Sequence, residues 1–406
     1  MNKGASSSYP TRGEFPTRRA ATLLLGAGVV AAFAGLSTRA AETDPSTLIA
    51  RSQLAAGNRW RLQHAFAKAR HGEPLTIGVI GGSITAGALA SSAERSYAAS
   101  VLAWWRARFP QSETRLVNAG VGGTGSLSGT FRVQRDLLEA KPDVVIVEFA
   151  VNDAWVDGAA YEGLLRQILA RPNAPAVILL FMMWQGGGND QEMQSKVGAH
   201  YRLPMVSFRD ALWPEIAAGR IRWQDYIVDT VHPNDAGHAL AARCVTALLE
   251  RTDTGEAPLG QDPLDPLPPP LHSDAFQFVE WRDAATLTPV RNDGWTPARD
   301  DHATSAWVAT SASGRIAFDL FGTGIVAQLV RPSDDPGQVR FWIDDAPALT
   351  LDASTVVKRN IHVVAEGLAR GRHRITIERV DPPAGARWES VRFGLTGLGA
   401  IGVKPV

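Results

Sequence analysis

A serine that follows two glycines has the setting of a nucleophile. The apolar segment Leu75 to Ile80 predicts a buried strand, and Gly81-Gly82-Ser83-Ile84-Thr85 follows it directly. Glycines permit a sharp turn, so the Ser83 hydroxyl would be exposed at the strand end. We expect a helix to begin there, and its free N–H groups would favour developing negative charge. A serine that only caps a helix is the alternative interpretation.

An acid and a histidine lie three residues apart in the segment Asp229-Thr230-Val231-His232-Pro233. At this spacing the carboxylate can hold one ring nitrogen, which leaves the other nitrogen free to act as a base toward a serine hydroxyl. Pro233 restricts the backbone of His232 and stiffens the turn. The alternative is an ordinary loop histidine, with Asp229 capping the next turn.

Two further segments offer groups that can stabilise an oxyanion. Asn118 to Gly125 is a glycine-rich loop after a short predicted strand, and Asn152 follows the predicted strand Val144 to Phe149. The N–H groups of Ser83 and of a glycine in this loop, with the Asn152 amide, are candidates for a three-donor oxyanion hole. Dinucleotide binding by the loop is disfavoured, because its glycines do not form G-x-G-x-x-G before a helix.

Other residues near these segments are weaker candidates. Trp155 and Trp184 could stack on an acyl or sugar group, although core packing is the commoner fate of a tryptophan. His238 is expected on the surface or as a helix cap. With Asp229, His232 and Asp235 it could suggest metal ligands, but no His-Glu-x-x-His motif or cysteine pair accompanies them. Neither a metal nor a cofactor is therefore expected.

Short apolar segments alternate with helical patterns over residues 48–252. One helix is predicted from Leu48 to His71 and a last one from Asn234 to Arg251. Cys244 lies in the last helix and is predicted to be a small buried residue. Alternating strands and helices predict an α/β fold, a three-layer α/β/α sandwich around a parallel sheet. The other predicted strands are Thr114 to Val117, Ala176 to Met182 and Pro204 to Val206, and the other predicted helices are Tyr97 to Arg108, Phe131 to Glu139, Tyr161 to Ala170 and Met193 to Ala199.

The pattern changes after this region. Residues 253–272 contain six prolines and no hydrophobic period, which predicts a semi-rigid linker. Residues 273–406 alternate with period two, as in Arg315 to Leu320, and predict an all-β sandwich. Its tryptophans could form a sugar platform or belong to the core; they are Trp281, Trp295, Trp307, Trp342 and Trp388.

Four blocks in this order resemble the SGNH hydrolases, also called the GDSL esterase/lipase superfamily. They are Gly81 to Thr85, Asn118 to Gly123, Val151 to Asp153 and Asp229 to Pro233. The resemblance implies a flavodoxin-like SGNH domain with Ser83 as nucleophile, His232 as general base and Asp229 as its orienting acid. It also implies Gly123 and Asn152 as oxyanion donors beside the Ser83 N–H. Gly82 departs from the family pattern, which has an acidic residue there, and Ala150-Val151 replaces a commoner Gly-x.

Composition and the N-terminal residues bear on where the protein acts. Lys+Arg and Asp+Glu number 41 each in 406 residues, so the zero net charge gives no footprint for nucleic acid. Arg18-Arg19 precedes an uncharged stretch from Ala20 to Leu36, and Thr38-Arg39-Ala40 fits a cleavage site. Residues 1–40 therefore predict a twin-arginine export signal and a periplasmic or extracellular protein. A membrane anchor or a buried helix is the alternative, but the stretch is marginal as a span.

These observations predict a secreted serine esterase that hydrolyses short acyl esters, with acetyl favoured, on a carbohydrate through an acyl-enzyme. Export, the lack of a long apolar tract for a lipid tail and the appended β region support this substrate class. A carbohydrate O-acyltransferase that uses the same residues remains open, as does a non-catalytic glycan-binding protein. The sequence leaves the oligomeric state open.

Overall fold

A parallel sheet flanked by helices forms the first part of the chain, which we call the α/β part. The computed structural model describes residues 44–153, 158–299, 304–311, 313–330, 338–352, 361–380 and 394–404. The strands of the sheet are β1 (Gln53–Ala55), β2 (Leu75–Gly81), β3 (Thr114–Gly120), β4 (Val144–Glu148), β5 (Ala176–Phe181) and β6 (Met205–Ser207). The helices are α1 (Pro45–Ser52), α2 (Trp60–Arg70), α3 (Tyr97–Arg108), α4 (Ser126–Asp136), α5 (Gly158–Leu169), α6 (Gln191–His200), α7 (Phe208–Ala217) and α8 (Asp235–Thr252).

The strand order of this sheet is β1-β6-β5-β4-β2-β3. Strands β2 to β6 run parallel to their neighbours, and β1 pairs antiparallel with β6. Without β1, the order is that of a flavodoxin-like fold, in which the topological switch point lies between β2 and β4. Ligands of such folds bind in the crevice outside the carboxyl ends of these strands, and Ser83 and Asn152 follow those two ends.

Alternating side chains of the buried strands divide the core into two layers. Ile77 and Val79 of β2 pack with α2, α3 and α8 on one face of the sheet, whereas Ile80 packs with α4 and α5 on the other. A sheet buried on both faces requires nearly continuous apolar strands, and β2 and β5 have that composition. The predicted three-layer α/β/α fold is confirmed.

The predicted helix from Leu48 to His71 is wrong in its middle. The chain leaves α1 at Ser52, forms β1 and reaches α2 only at Trp60. Gly57 has φ 57°, and a Cβ there would overlap the backbone of Leu203 and Pro204. This close approach holds the connection against the chain before β6, so one continuous helix cannot form. Helix α7, which contains Pro214, was not predicted.

Residues 253–272, which we call the strap, lie against the α/β part and do not form a free spacer. Asp262 pairs with the buried Arg61 at 2.7 Å, and Leu264 is buried among the side chains of the α4–α5 layer. The Glu162 carboxylate accepts hydrogen bonds from three successive backbone N–H groups, those of residues 271–273. Prolines remove backbone donors, so a proline-rich segment can pack on a surface while leaving few N–H groups to satisfy.

Two antiparallel sheets form the second part of the chain, which we call the β part, and they confirm the predicted sandwich. One sheet has the order β15-β12-β17-β10-β9, with β7 also paired to β17, and the other has the order β14-β13-β16-β11-β8. Phe318 and Ile375 of the second sheet face Ile325 and Leu398 of the first in a shared core. The strands are β7 (Val279–Asp283), β8 (Arg291–Asp293), β9 (Trp295–Arg299), β10 (Ser305–Ala309), β11 (Arg315–Gly322), β12 (Gly324–Val330), β13 (Gln338–Ile343), β14 (Ala346–Asp352), β15 (Ile361–Ala365), β16 (Gly371–Val380) and β17 (Gly394–Ile401).

A small apolar cluster joins the α/β part to the β part. Phe131 of α4 and Ala160 of α5 contact Phe276, Val326 and Ile401. In the described residues, no helix is both long and apolar enough to cross a membrane. The predicted export signal over residues 1–40 lies outside the described residues, as do Trp155 and Trp388.

Candidate active site

Ser83 lies in a tight turn at the carboxyl end of β2. Gly81 ends the strand, and the chain then closes through hydrogen bonds from Ala86 N to Gly82 O (3.1 Å) and from Ala88 N to Ser83 O (3.0 Å). The expected helix after Ser83 is wrong: residues 83–89 form successive turns, and the next α-helix, α3, begins at Tyr97. The N–H groups near the serine therefore belong to turns and not to a helix end.

Ser83, His232 and Asp229 form a continuous hydrogen-bonded chain. Ser83 Oγ lies 2.8 Å from His232 Nε2, and His232 Nδ1 lies 2.7 Å from Asp229 Oδ2. An ionised carboxylate can only accept, so Nδ1 carries the ring proton and Nε2 is free to accept the Ser83 hydroxyl proton. Residues separated by 149 positions in the sequence are thus within hydrogen-bonding reach.

The loop around Asp229 holds the carboxylate in this orientation. Asp229 Oδ1 accepts from the backbone N–H groups of Val231 (2.8 Å) and His232 (2.7 Å), which leaves Oδ2 for the ring. Desolvation raises the pKa of Asp229, but the hydrogen bonds from the His232 ring and these two N–H groups outweigh it and bring the pKa to about 2. The carboxylate is therefore ionised at neutral pH.

The glycine-rich loop and Asn152 lie beside the Ser83 turn. A Cβ at Gly122 would lie 3.7 Å from Ser83 Cβ, and Gly123 has φ 73° with open space around it. A Cβ at Gly82 would overlap Asn152 Oδ1, so the Asn152 side chain occupies space that a larger residue 82 would need. This contact is a physical reason for glycine at the position where the family pattern has an acid.

Trp184 lies on the loop after β5, next to the histidine loop. The backbone N–H of Gln185 donates to Thr230 O at 2.7 Å, which joins the two loops. The Trp184 indole folds back over its own loop. It lies so close to Gly188 that a Cβ at that position would overlap it. Trp184 is half-buried and neighbours the site, whereas the structure does not describe Trp155.

His238 is fully buried, so its expected surface position is wrong. Its Nδ1 accepts from the backbone N–H of Tyr97 at 3.3 Å, and its Nε2 lies 3.1 Å from Ala88 O. A carbonyl can only accept, so the proton resides on Nε2 and the ring is neutral. Burial lowers the pKa of His238, in agreement with this state. The residue fixes the end of the Ser83 turn against α3.

Sequence reasoning missed a buried acid beneath the Ser83 turn. Glu148 pairs with Gly81 across the sheet, and Thr85 Oγ1 donates to Glu148 Oε2 at 3.0 Å. The Tyr97 hydroxyl lies 2.8 Å from the same Thr85 oxygen. Burial raises the pKa of Glu148 to about 8, although the Thr85 hydrogen bond lowers it. A charged residue at the end of the apolar strand β4 was the signal available in the sequence.

A cavity of about 310 Å³ adjoins the glycine-rich loop on the side of the β part. Val121 and Thr124, which flank Gly122 and Gly123, line it together with Trp281 and Gln328 of the β part. Both parts of the chain therefore contribute to the surroundings of the site. Among the described residues, no group of three or more His, Cys, Asp or Glu side chains could hold a metal ion.

The chain is similar to a known protein family and to solved esterase structures. The model of the GDSL-like lipase/acylhydrolase family matches residues 79–240. Two crystal structures of a two-domain esterase active on acetylated mannans, one of them co-crystallised with mannopentaose, are 30% identical to this chain. Each match covers 88% of this chain and 99% of that esterase, with TM-scores of 0.77 and 0.79. The chain belongs to the GDSL-like lipase/acylhydrolase family.

Membership of the GDSL-like family makes this protein a carboxylic-ester hydrolase and confirms the resemblance noted in the sequence. Another relative in the comparisons, the acetylxylan esterase of Geobacillus stearothermophilus, is 26% identical over 175 residues. That match spans 36% of this chain and 77% of the relative. The non-catalytic alternative is therefore set aside.

Proposed function

We propose that this enzyme hydrolyses acetyl esters on a carbohydrate through an acetyl-Ser83 intermediate. The observation that carries the proposal is the chain from Ser83 Oγ to His232 Nε2 (2.8 Å) and from His232 Nδ1 to Asp229 Oδ2 (2.7 Å). A serine hydroxyl becomes a nucleophile when an oriented imidazole accepts its proton.

In the first half of the reaction, Ser83 Oγ attacks the acetyl carbonyl carbon while its proton passes to His232 Nε2. The carbonyl oxygen becomes an oxyanion, and the N–H groups of Ser83 and Gly123 and the Asn152 side-chain amide donate to it. The bond between the carbonyl carbon and the sugar oxygen then breaks. His232 protonates that oxygen, the sugar leaves as an alcohol, and the acetyl group remains on Ser83.

In the second half, water replaces the sugar. His232 Nε2 takes a proton from the water as its oxygen attacks the acetyl-Ser83 carbonyl carbon. The same donors stabilise the second oxyanion. The bond to Ser83 Oγ breaks, His232 returns the proton to that oxygen, and acetic acid leaves and ionises to acetate by losing its proton to solvent. Asp229 stays ionised throughout and stabilises the imidazolium that forms in each half.

The substrate class is supported by the relatives and by the surroundings of the site. The two-domain esterase acts on acetylated mannans, and the relative from Geobacillus stearothermophilus is named an acetylxylan esterase. The cavity beside the glycine-rich loop places Trp281 near polar side chains such as Gln328 and Thr396. Aromatic faces with adjacent hydrogen-bonding groups suit a sugar ring. We therefore propose acetylated polysaccharides of this kind as substrates.

The test has a chemical arm and a substrate arm. Ser83→Ala is expected to lower kcat on 4-nitrophenyl acetate at least ~10³-fold, whereas the control Ser195→Ala, a half-buried serine of α6, leaves it unchanged. Acid-quenched wild-type enzyme should carry one acetyl group on the peptide that contains Ser83. Full activity of Ser83→Ala would contradict the mechanism.

For the substrate arm, activity is compared on 4-nitrophenyl acetate, butyrate and octanoate, and acetate release is measured from acetylated mannan and xylan. We expect activity to fall with chain length and acetate to appear from at least one polysaccharide. Transfer of acetyl to an added acceptor sugar in preference to water would contradict hydrolysis. Cleavage of the small ester without release from any acetylated polysaccharide would contradict the carbohydrate substrate.

We further propose that the enzyme is exported through the twin-arginine route. The support is the order of Arg18-Arg19, the uncharged stretch Ala20 to Leu36 and the small residues before Ala41. When both arginines are replaced with lysine, the enzyme should no longer be exported, and its esterase activity should be found in the cytoplasm of the expressing bacterium. Equal activity outside the cytoplasm for both forms would contradict this route.

A further inference from the structure

A buried arginine binds the strand ends from which two of the proposed oxyanion donors extend. Arg132 lies on α4, which begins just after the glycine-rich loop, and it is 8% exposed. Its Nη2 donates to Gly81 O at 2.9 Å, and its Nη1 donates to Ala119 O at 2.5 Å. Gly81 stands two residues before Ser83, and Ala119 stands four residues before Gly123.

Between Val121 and Thr124 the glycine-rich loop has few other attachments, and at its start Asn118 Nδ2 donates to Thr85 O at 2.8 Å. Gly122 and Gly123 have no side chains, and a Cβ at Gly123 would meet nothing within 4 Å. The Val121 N–H donates to Gly81 O at 3.1 Å, and Thr124 Oγ1 donates to Val121 O at 2.8 Å. Arg132 Nη2 reaches Thr124 Oγ1 at 3.5 Å. The guanidinium thus meets the loop at both of its ends and shares the Gly81 carbonyl with it.

We propose that Arg132 is a positioning residue that fixes the Ser83 and Gly123 N–H groups relative to each other, which rests on the function proposed above. The planar guanidinium donates from two different nitrogens in a fixed fork, so it sets the separation of the two carbonyl oxygens, whereas a lysine ammonium donates from one nitrogen on a flexible stem. Oxyanion donors act only within a few tenths of an ångström of their working position, and a misplacement of about 1 Å can cost ~10²-fold in rate.

A second buried arginine supplies a matched control. Arg61 is 7% exposed and donates to the carbonyls of Leu169 (3.0 Å) and Pro175 (3.3 Å) and to the Asp262 carboxylate (2.7 Å). Its bonding resembles that of Arg132, but its partners belong to the end of α5, the strand entry before β5 and the strap. Loss of Arg61 should therefore destabilise the fold without displacing an oxyanion donor.

The first experiment compares Arg132→Lys with Arg61→Lys on 4-nitrophenyl acetate, well below the unfolding temperature of each variant. We expect Arg132→Lys to lower kcat at least tenfold with KM within threefold of wild type. Arg61→Lys should keep kcat within twofold while its unfolding temperature falls. Thr124→Val, which removes the hydroxyl between Arg132 and Val121 O, is the second variant and should lower kcat severalfold. Wild-type kcat in both Arg132→Lys and Thr124→Val would overturn the proposal.

The second experiment reads the oxyanion hole itself. A small alkylboronic acid forms a tetrahedral adduct with an active serine, so its inhibition constant reports how well that geometry is held. In Arg132→Lys the constant should rise by about the same factor as kcat/KM falls. An unchanged constant beside a lowered kcat would overturn the positioning role. Failure of the proposed function is separate: it would appear as wild-type enzyme that the boronic acid does not inhibit and as full activity of Ser83→Ala.

Chemical rescue completes the test. Arg132→Ala removes the guanidinium and leaves space at the same carbonyls, so guanidinium ion at tens of millimolar should raise kcat severalfold. The same addition to Arg61→Ala should leave kcat unchanged. Equal responses of the two variants would mean that guanidinium acts on the fold in general, and the specific role of Arg132 would be refuted.

Discussion

Two histidine–aspartate pairs, one in each part of the chain, have nearly the same internal geometry. His232 Nδ1 lies 2.7 Å from Asp229 Oδ2, and His373 Nδ1 lies 2.6 Å from Asp344 Oδ2. In both pairs, the other carboxylate oxygen accepts from a backbone N–H, that of His232 at 2.7 Å or that of Arg374 at 2.8 Å.

The pairs differ in the partner of the second ring nitrogen. His232 Nε2 faces the Ser83 hydroxyl, which can donate, so the neutral ring can accept a proton. His373 Nε2 lies 2.7 Å from Ala369 O, which can only accept, so both ring nitrogens must carry protons. The Asp344 hydrogen bond raises the pKa of His373, in agreement with an imidazolium ion. The partner of Nε2 therefore determines whether the histidine of a histidine–aspartate pair can act as a base or is held as a cation.

The largest expected difference between the pairs concerns catalysis by the histidines. His232→Gln should lower kcat on 4-nitrophenyl acetate by ~10³-fold or more, because glutamine cannot accept and return the Ser83 proton. His373→Gln should keep kcat within twofold. Steady-state kinetics of both purified variants measure this contrast, and a comparable loss in both would show that the β-part pair also affects the reaction.

Substitution of the two aspartates should also lower kcat in the Ser83 site and not in the β part, but the loss should be smaller than for the histidines. Asp229→Asn should lower kcat by about 10²-fold or more, because the amide can donate to Nδ1 and so favour the wrong ring tautomer. Asp344→Asn is its matched control and should leave kcat unchanged. Unfolding temperatures measured beside the rates show whether the fold persists. An active Asp229→Asn enzyme would remove the orienting role from this carboxylate.

The smallest expected effect concerns stability and its dependence on pH. The pKa of His373 is raised in the folded state, so its contribution is fully present below the unfolded value of about 6.5 and is lost as pH rises through the folded value. The unfolding temperature of His373→Gln should lie about 1–2 °C below that of wild type at pH 5.5, with a smaller gap at pH 9. Thermal unfolding at both values measures it, and a gap that widens with pH would contradict the assignment.

The sequence predicted those parts of the candidate site that depend on short stretches of the chain. Ser83 and Asn152 each follow an apolar strand, the glycine-rich loop follows the edge strand β3, and the carboxyl ends of parallel strands meet at one edge. The three-residue spacing of Asp229 and His232 likewise reports a turn within one loop. These signals need no knowledge of distant partners.

What the sequence did not predict depends on contacts between distant segments. Arg132 bonds to a carbonyl 51 residues away, and no spacing rule reveals which buried carbonyls lie in its reach. His238 is buried because α3 packs on α8, although its position near a helix start suggested the surface. The break between α1 and α2 arises from Gly57 meeting the chain before β6. In each case tertiary packing overrides the local pattern.

The strap determines where a stable fragment of the α/β part can end. A fragment that stopped at Thr252, where α8 ends, would lose Asp262 and leave the Arg61 guanidinium buried without its counter-ion. It would also strip three N–H donors from the Glu162 carboxylate. A fragment that keeps these contacts must therefore extend past Ser273, because the strap packs on the α/β part.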